Sequence, residues 1–265
     1  MFEAQALPVP GIHPNAVIDE DAVLGAGVTV GPGSIIGPGV IVGEGTRIDS
    51  NVLIERDTTL GSHCRVHHGA VLGTDPQDLK YEGEPAHVVV GDRTVIREYV
   101  TVNRGTRASG KTAIGSDCLL MAYAHVAHDC HLGDRVILAN SVNMGGHVTI
   151  YDWAIIGGMT PIHQFVRIGE HAFVGGASRV AKDVAPYVRC AGSPLEVFGL
   201  NSVGLRRRGF DGAVRTELKR AYRLFFLSKL NVSQAIARAR QELELIPEVE
   251  RFISFFEHSE RGVHL

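Results

Sequence analysis

From Ile18 onward an aliphatic residue recurs at every sixth position: Leu24, Val30, Ile36, Val42, Ile48, Ile54, Leu60, Val66 and Leu72. The series resumes at Val90, Ile96 and Val102. It runs again from Ile114 through Leu120, Val126, Leu132, Leu138, Met144, Ile150, Ile156, Ile162, Ile168 and Val174 to Val180. Gly, Asp, Glu or His usually follows, as in "LGAGVT", "VGPGSI" and "VGEGTR". A period of six is neither helical nor simple alternation. It fits a parallel β-helix, in which each hexad gives a short strand and a turn, and three hexads close a triangular coil of about eighteen residues. The aliphatic points inward, and the glycine after it either relieves crowding or permits unusual backbone angles at the corner. Ladder hydrogen bonds would stack the coils about 4.8 Å apart. Most of the chain is therefore expected to form a rigid prism, whose hand the period does not reveal.

Two segments break the period. "TDPQDLKYEGEPAH", residues 74–87, puts Asp78, Glu82 and Glu84 where inward aliphatics should sit, and "RGTRASGK", 104–111, is rich in Gly, Ser and Arg. Both must loop out, and loops on a rigid scaffold often carry binding groups. After "RCAGSPLEVFG" the pattern turns helical. Asp211 can cap a helix through Leu227 with Val214, Leu218, Tyr222, Phe225 and Phe226 near one face. Asn231 or Ser233 can cap a second, to about Leu245, and Pro247 suits the start of a third, through about His258. The expected organisation is a β-helix over 1–195 and a small helical domain over 196–265 that covers the open end of the solenoid.

Composition narrows the class. With 45% hydrophobic and 21% charged residues among 265, a real core is expected and disorder is not. Glycine at 31 residues and aromatics at 6% suit many tight turns around small aliphatics. The start "MFEAQALPVPGIHP" lacks the basic-then-apolar order of a signal peptide, and no run of apolar residues is long enough to span a membrane. Cys64, Cys118, Cys130 and Cys190 form no CxxC pair and read as reduced thiols of a cytoplasmic protein. The net charge of −3 conceals a block from Arg206 to Arg240 with ten Lys/Arg against Asp211 and Glu217. That block is either a solvated helix face or a docking surface for an acidic macromolecule.

Candidate chemistry comes from stacking the coils. Residues eighteen apart lie in adjacent coils, so His128, Gly146 and Gln164 form one column, and Asp129 lies in a column with His147. His125, His128, Asp129, Gly146, His147, His163 and Gln164 then share one outer strip. Singly, each histidine would be a solvated surface residue. As a strip they could take a proton from a hydroxyl near neutral pH, with a carboxylate to fix the tautomer and a glycine N–H to stabilise an oxyanion. That set suits acyl transfer to a hydroxyl without a metal.

The motifs "QDLKYEGEP", "IREYVTVNRGT", "AHVAHDC", "IIGGMTPIHQF" and "NSVGLRRRGF" closely resemble the acyl-carrier-protein–UDP-N-acetylglucosamine O-acyltransferases of lipid A synthesis. The resemblance implies a left-handed β-helix, a homotrimer with sites between subunits, and no cofactor beyond the phosphopantetheine thioester of acyl carrier protein. It also implies transfer of a (usually 3-hydroxy) acyl group to the glucosamine 3-OH of UDP-N-acetylglucosamine. On this chain it makes His128 the general base, Asp129 its orienting group and the Gly146 N–H the oxyanion donor. His125, His147, His163 and Gln164 would position sugar and acyl groups, and Asp78 and Lys80 would contact the nucleotide sugar. Asn201, Arg207 and Arg208 would face the nucleotide, where arginine forks suit a diphosphate. Gly176 would limit acyl length, and the basic block would dock the acidic carrier protein. Nucleic acid is not an expected partner. The chain departs from the family's best-known members at Val203, where they carry glutamate, and at Asn103, where some carry histidine.

Three other readings stand beside this one. The N-acyltransferase of the same pathway needs a nucleotide-binding domain before its β-helix, and the early start of the hexads leaves no room for one. A γ-carbonic-anhydrase-like zinc β-helix would have to use histidines such as His63 and His68. A non-catalytic scaffold would keep the hexads without needing the polar strip.

Overall fold

A computed structural model describes residues 11–265; the first ten residues of the stretch on which the absence of a signal peptide was read lie outside it. The hexads build a parallel β-helix with three flat faces. The first face has eight strands, beginning with Val17–Ile18 and ending with Pro161–Ile162, and the second runs from Val23–Leu24 to Arg167–Ile168. The third, of ten strands, starts at Thr29–Val30. Ile18 pairs with Ile36 and Val126 lies one coil below Met144, so one turn takes eighteen residues. Across the interruptions Leu72 pairs with Val102, and Val102 with Val126, each offset lengthened by one loop.

The inward series is buried from Val30 to Val180, while Ile18 and Leu24 in the terminal coil are only half-buried. The glycine after the aliphatic is explained by crowding. A Cβ on Gly37 would stand 1.8 Å from the Glu55 carbonyl oxygen, and one on Gly157 would stand 2.3 Å from the Gly176 nitrogen. Left-handed backbone angles fall two residues later, at Gly27, Gly33, Gly39 and Gly45 and then at Asp129 (φ 58°), His147 (φ 61°) and Phe165 (φ 64°). Non-glycine residues are strained there, and the ladders on either side of each corner hold them.

Both interruptions leave the prism at the corner between the first and second faces, and they grip each other. Arg104, 3% exposed, bonds Asp75 and the Gly73 carbonyl, and its Nη2 lies 3.2 Å from the Tyr81 hydroxyl. Arg107 pairs with Glu82 at 2.6 Å. The loops are thus a built feature of this corner.

The helical part differs from the expected layout in three respects. The third face continues beyond the hexads as an antiparallel hairpin, Val188–Ala191 with Glu196–Leu200, which crosses the expected boundary at 195/196. A short helix, α1 (Ser202–Arg207), precedes the expected ones. Helix α2 (Gly212–Tyr222) does start at an Asp211 cap but loosens into a π-helical turn, Arg223–Leu227. Helix α3 (Val232–Glu242) is capped by Asn231 with a reciprocal Gln234 bond, and α4 (Pro247–Glu257) opens on its proline. Phe225, Phe252 and Phe256 pack where α4 meets the π-helical turn, with ring centroids as close as 4.3 Å. Among the described residues no helix is long and apolar enough to cross a membrane.

Candidate active site

His128 and Asp129 occupy the first–second corner, just after the strand His125–Val126. The Asp129 side chain is fully buried and collects five donors. Thr106 gives its N–H (3.0 Å) and hydroxyl (2.8 Å), Ser109 gives its N–H (3.2 Å) and hydroxyl, and His128 Nδ1 approaches at 2.8 Å. Burial alone would raise the Asp129 pKa, but the bonds from Ser109, His128 and Thr106 prevail and hold it well below the usual carboxylate range. An ionised carboxylate only accepts, so Nδ1 carries the imidazole proton and Nε2 keeps its lone pair.

Gly146 lies against that imidazole. A Cβ at 146 would stand 2.5 Å from His128 Cε1 and 2.6 Å from Nε2, so only glycine lets the ring rest there. Its own N–H has no acceptor among the described residues. His147 meets the His128 ring edge-on at 5.1 Å and stacks on Phe165 at 4.5 Å. Burial lowers the His147 pKa, partly offset by the charges of Asp129 and Asp78. Asp78 thus stands close enough to be felt at the corner, on the first loop with the exposed Lys80. His125 is half-buried beside the Thr101 hydroxyl at 2.7 Å, and its pKa is lowered first by burial and then by His128. His163 and Gln164 are exposed one coil above Gly146. His131 projects from the second face, away from the strip.

The remaining predicted residues lie elsewhere. Arg208 donates to His171 Nδ1 at 3.0 Å and covers Trp153 at 4.9 Å, at the corner between the second and third faces, while Arg207 is exposed. Both polar ends of Asn201 are engaged: Oδ1 caps α1 through the Gly204 N–H, and Nδ2 donates to the His171 carbonyl. Gly176 is exposed at the third–first corner above Gly158. One chain therefore assembles the histidine strip and the Asp78–Lys80 loop, but holds Arg207 and Arg208 on a different edge.

Sequence reasoning missed Thr106 and Ser109, which fix the carboxylate. Their only signal was the position of "RGTRASGK" at the same corner as "AHVAHDC", which appears once the loops are assigned to a corner. His128, Asp129 and His147 also offer ligand atoms within 4.8 Å of one another, close enough to hold a cation. His63 and His68 sit at different corners, His68 held by the Ser50 hydroxyl at 3.0 Å. The four cysteines are buried and unpaired; burial pushes Cys118 up to about 11 and Cys130 and Cys190 up to about 12, which keeps them protonated and unreactive.

Comparisons with known proteins bear on the fold and the family. A family model for bacterial transferase hexapeptides matches residues 10–43, 39–74 and 111–146, and one for domain 2 of UDP-N-acetylglucosamine O-acyltransferase matches 183–264. LpxA from Acinetobacter baumannii is 41% identical over 96% of this chain and 99% of its own, with a TM-score of 0.93. LpxA from Bacteroides fragilis, a UDP-N-acetylglucosamine acyltransferase, is 38% identical over 96% and 99%, with a TM-score of 0.94. The chain belongs to the LpxA family. An Arabidopsis member is 34% identical over 96% of this chain and 100% of that one, at a TM-score of 0.80. The protein is thus an acyltransferase, and its β-helix is left-handed.

Proposed function

We propose that the protein transfers an acyl group from acyl carrier protein to the 3-OH of UDP-N-acetylglucosamine, the first step of lipid A synthesis, with His128 as general base. The observation that carries the mechanism is the buried, five-fold-anchored Asp129 on His128 Nδ1, which leaves Nε2 basic against the side-chain-free Gly146. Nε2 takes the hydroxyl proton as the sugar oxygen attacks the thioester carbonyl. The oxyanion forms against the Gly146 N–H. Collapse breaks the carbon–sulfur bond, and the imidazolium returns the proton to the departing thiolate. The net reaction is ester for thioester, with no cofactor consumed.

Arg207 and Arg208 lie on another corner than His128, so this reading places the site between subunits of a homotrimer, with one chain's strip facing its neighbour's arginines. The same reading makes the protein a cytoplasmic enzyme. The decisive experiment is mass spectrometry of UDP-N-acetylglucosamine incubated with acyl carrier proteins of different acyl chain length. A mono-acylated sugar nucleotide that hydroxide cleaves as an ester is expected; no product with any donor overturns the reading. The His128–Asp129–His147 grouping favours a second reading, a metal-assisted reaction. Chelation discriminates: activity is expected to survive it, whereas loss restored by zinc would favour the metal.

A further inference from the structure

Beyond α4 the chain folds back onto the last coils of the prism. Asp183, fully buried, accepts from the Ser259 hydroxyl at 2.7 Å and from the Arg167 N–H at 2.8 Å. Its backbone donates to the Gly262 carbonyl at 3.0 Å and accepts from the His264 N–H at 2.9 Å. His264 Nε2 in turn accepts from the Lys182 N–H at 3.0 Å. These bonds fix the segment between Ser259 and His264, and with it Arg261. The guanidinium Nε donates to the Ala181 carbonyl at 2.9 Å, and Nη2 reaches His163 Nδ1 at 2.8 Å.

We propose that Arg261 is a positioning residue for acyl transfer: it fixes the His163 ring with Nδ1 as acceptor and presents Nε2–H to an oxygen of the substrate. The inference rests on the reading of His163 as a substrate-contacting residue. A guanidinium has only donors and stays charged. The His163 nitrogen that faces it must therefore offer a lone pair. Among the described residues the other possible partner of Nδ1 is the Gln164 carbonyl, 3.1 Å away. Donating to that carbonyl would set one N–H against another at Arg261. The remaining ring proton is then on Nε2, on the side of the ring away from Arg261. A neutral donor there suits a carbonyl, hydroxyl or phosphate oxygen and cannot act as a base. The strip accordingly divides its labour: His128 has its proton on Nδ1 and a free Nε2, and His163 has the reverse.

Kinetics of Arg261→Ala, Arg261→Lys, His163→Ala and the double alanine variant test this, with thermal melts as a control for folding. Arg261→Ala is expected to lose roughly tenfold or more in kcat/KM, the effect of removing a hydrogen bond to a charged group. Arg261→Lys should recover part of it, since an ammonium can reach Nδ1 but cannot also fork to Ala181. The double variant should be no worse than His163→Ala, because the arginine acts through the histidine. In 15N spectra of the imidazole, His163 should be the Nε2–H tautomer in the parent protein and a mixture in Arg261→Ala. Losses that add in the double variant, or a fully active Arg261→Ala beside an impaired His163→Ala, would overturn the proposal. A fully active His163→Ala would instead remove its premise that His163 meets substrate, and the 15N spectra would still report whether Arg261 sets the tautomer.

Discussion

At the scale of single residues, the site depends on one hydrogen bond and one missing side chain. His128→Ala should reduce turnover by about 10²–10⁴, the range for loss of a general base, with the melt unchanged; near-parental turnover would refute the mechanism. His131→Ala, three residues on in sequence but on the second face, should leave kcat and KM unchanged. Gly146→Ala tests the packing rather than the proton transfer. Its Cβ would stand 2.5 Å from the His128 ring, so the ring must leave its place against Asp129. Activity should fall nearly as far as in His128→Ala while both substrates still bind.

At the scale of elements, the second–third corner is a ladder of side chains. Arg135 and Arg208 each cover Trp153 at 4.9 Å, Trp153 stacks on His171, and His171 stacks on Tyr187. Burial, reinforced by the charges of Arg208 and Arg251, pushes the His171 pKa down to about 4. The unfolded chain takes up that proton near pH 6.5, so between about 6.5 and 4 it binds a proton that the folded chain refuses. Stability from this group is full above 6.5 and is lost as pH falls toward 4. Melting temperatures taken from pH 7.5 downward should fall, and less steeply in His171→Phe; equal slopes would remove His171 as the cause. The basic block is likewise clearer in three dimensions. Arg220 pairs with Glu217 at 2.9 Å, Arg238 with Glu242 at 2.7 Å, and Arg240 with Glu250 and Glu257. These three cations serve the helices themselves. Lys219 and Arg223 are exposed and form no ion pair among the described residues. Their reversal to glutamate should raise KM for the acyl donor and weaken its salt dependence, with KM for the sugar nucleotide unchanged. Arg207→Ala should do the opposite.

At the scale of the whole molecule, the separation of His128 from Arg207 and Arg208 is itself testable. If each site takes its base from one subunit and its arginines from the next, His128→Ala and an Arg207/Arg208 double alanine variant are each inactive alone. Mixed trimers then hold one intact site apiece, and random mixing should restore about a quarter of parental activity. No recovery on co-refolding would place both groups in one chain's site or deny them a role. Acyl length belongs to this scale too. A Cβ at Gly176 would come no nearer than 3.2 Å to the Gly158 oxygen and 3.6 Å to its nitrogen, which needs a shift of a few tenths of an ångström, and the backbone there is not left-handed, so Gly176→Met should fold. A side chain that fills an acyl groove would cost a long chain about 1–3 kcal/mol in overpacking, and each methylene left unburied about 0.8 kcal/mol more. The variant should prefer a donor several carbons shorter; an unchanged chain-length profile would put the limit elsewhere.

The order of hexads determined the prism, because an aliphatic every sixth residue can be buried only if the chain turns three times per coil. It also placed His128, Gly146 and Gln164 in one column before any coordinates, since stacking by eighteen is arithmetic. Cap residues likewise announced α2, α3 and α4, for Asp211, Asn231 and Pro247 act on their nearest neighbours. The hairpin after Val188 and the helix α1 were not legible, since they are held by the last coil and carry no period of their own. Nor was the anchoring of Asp129 by Thr106 and Ser109, or of His163 by Arg261, ninety-eight positions away. The repeat says where a corner lies, but not which way an insertion folds over it or where a returning segment lands. Those outcomes depend on side-chain bonds between parts of the chain with no common register, and only the tertiary structure decides them.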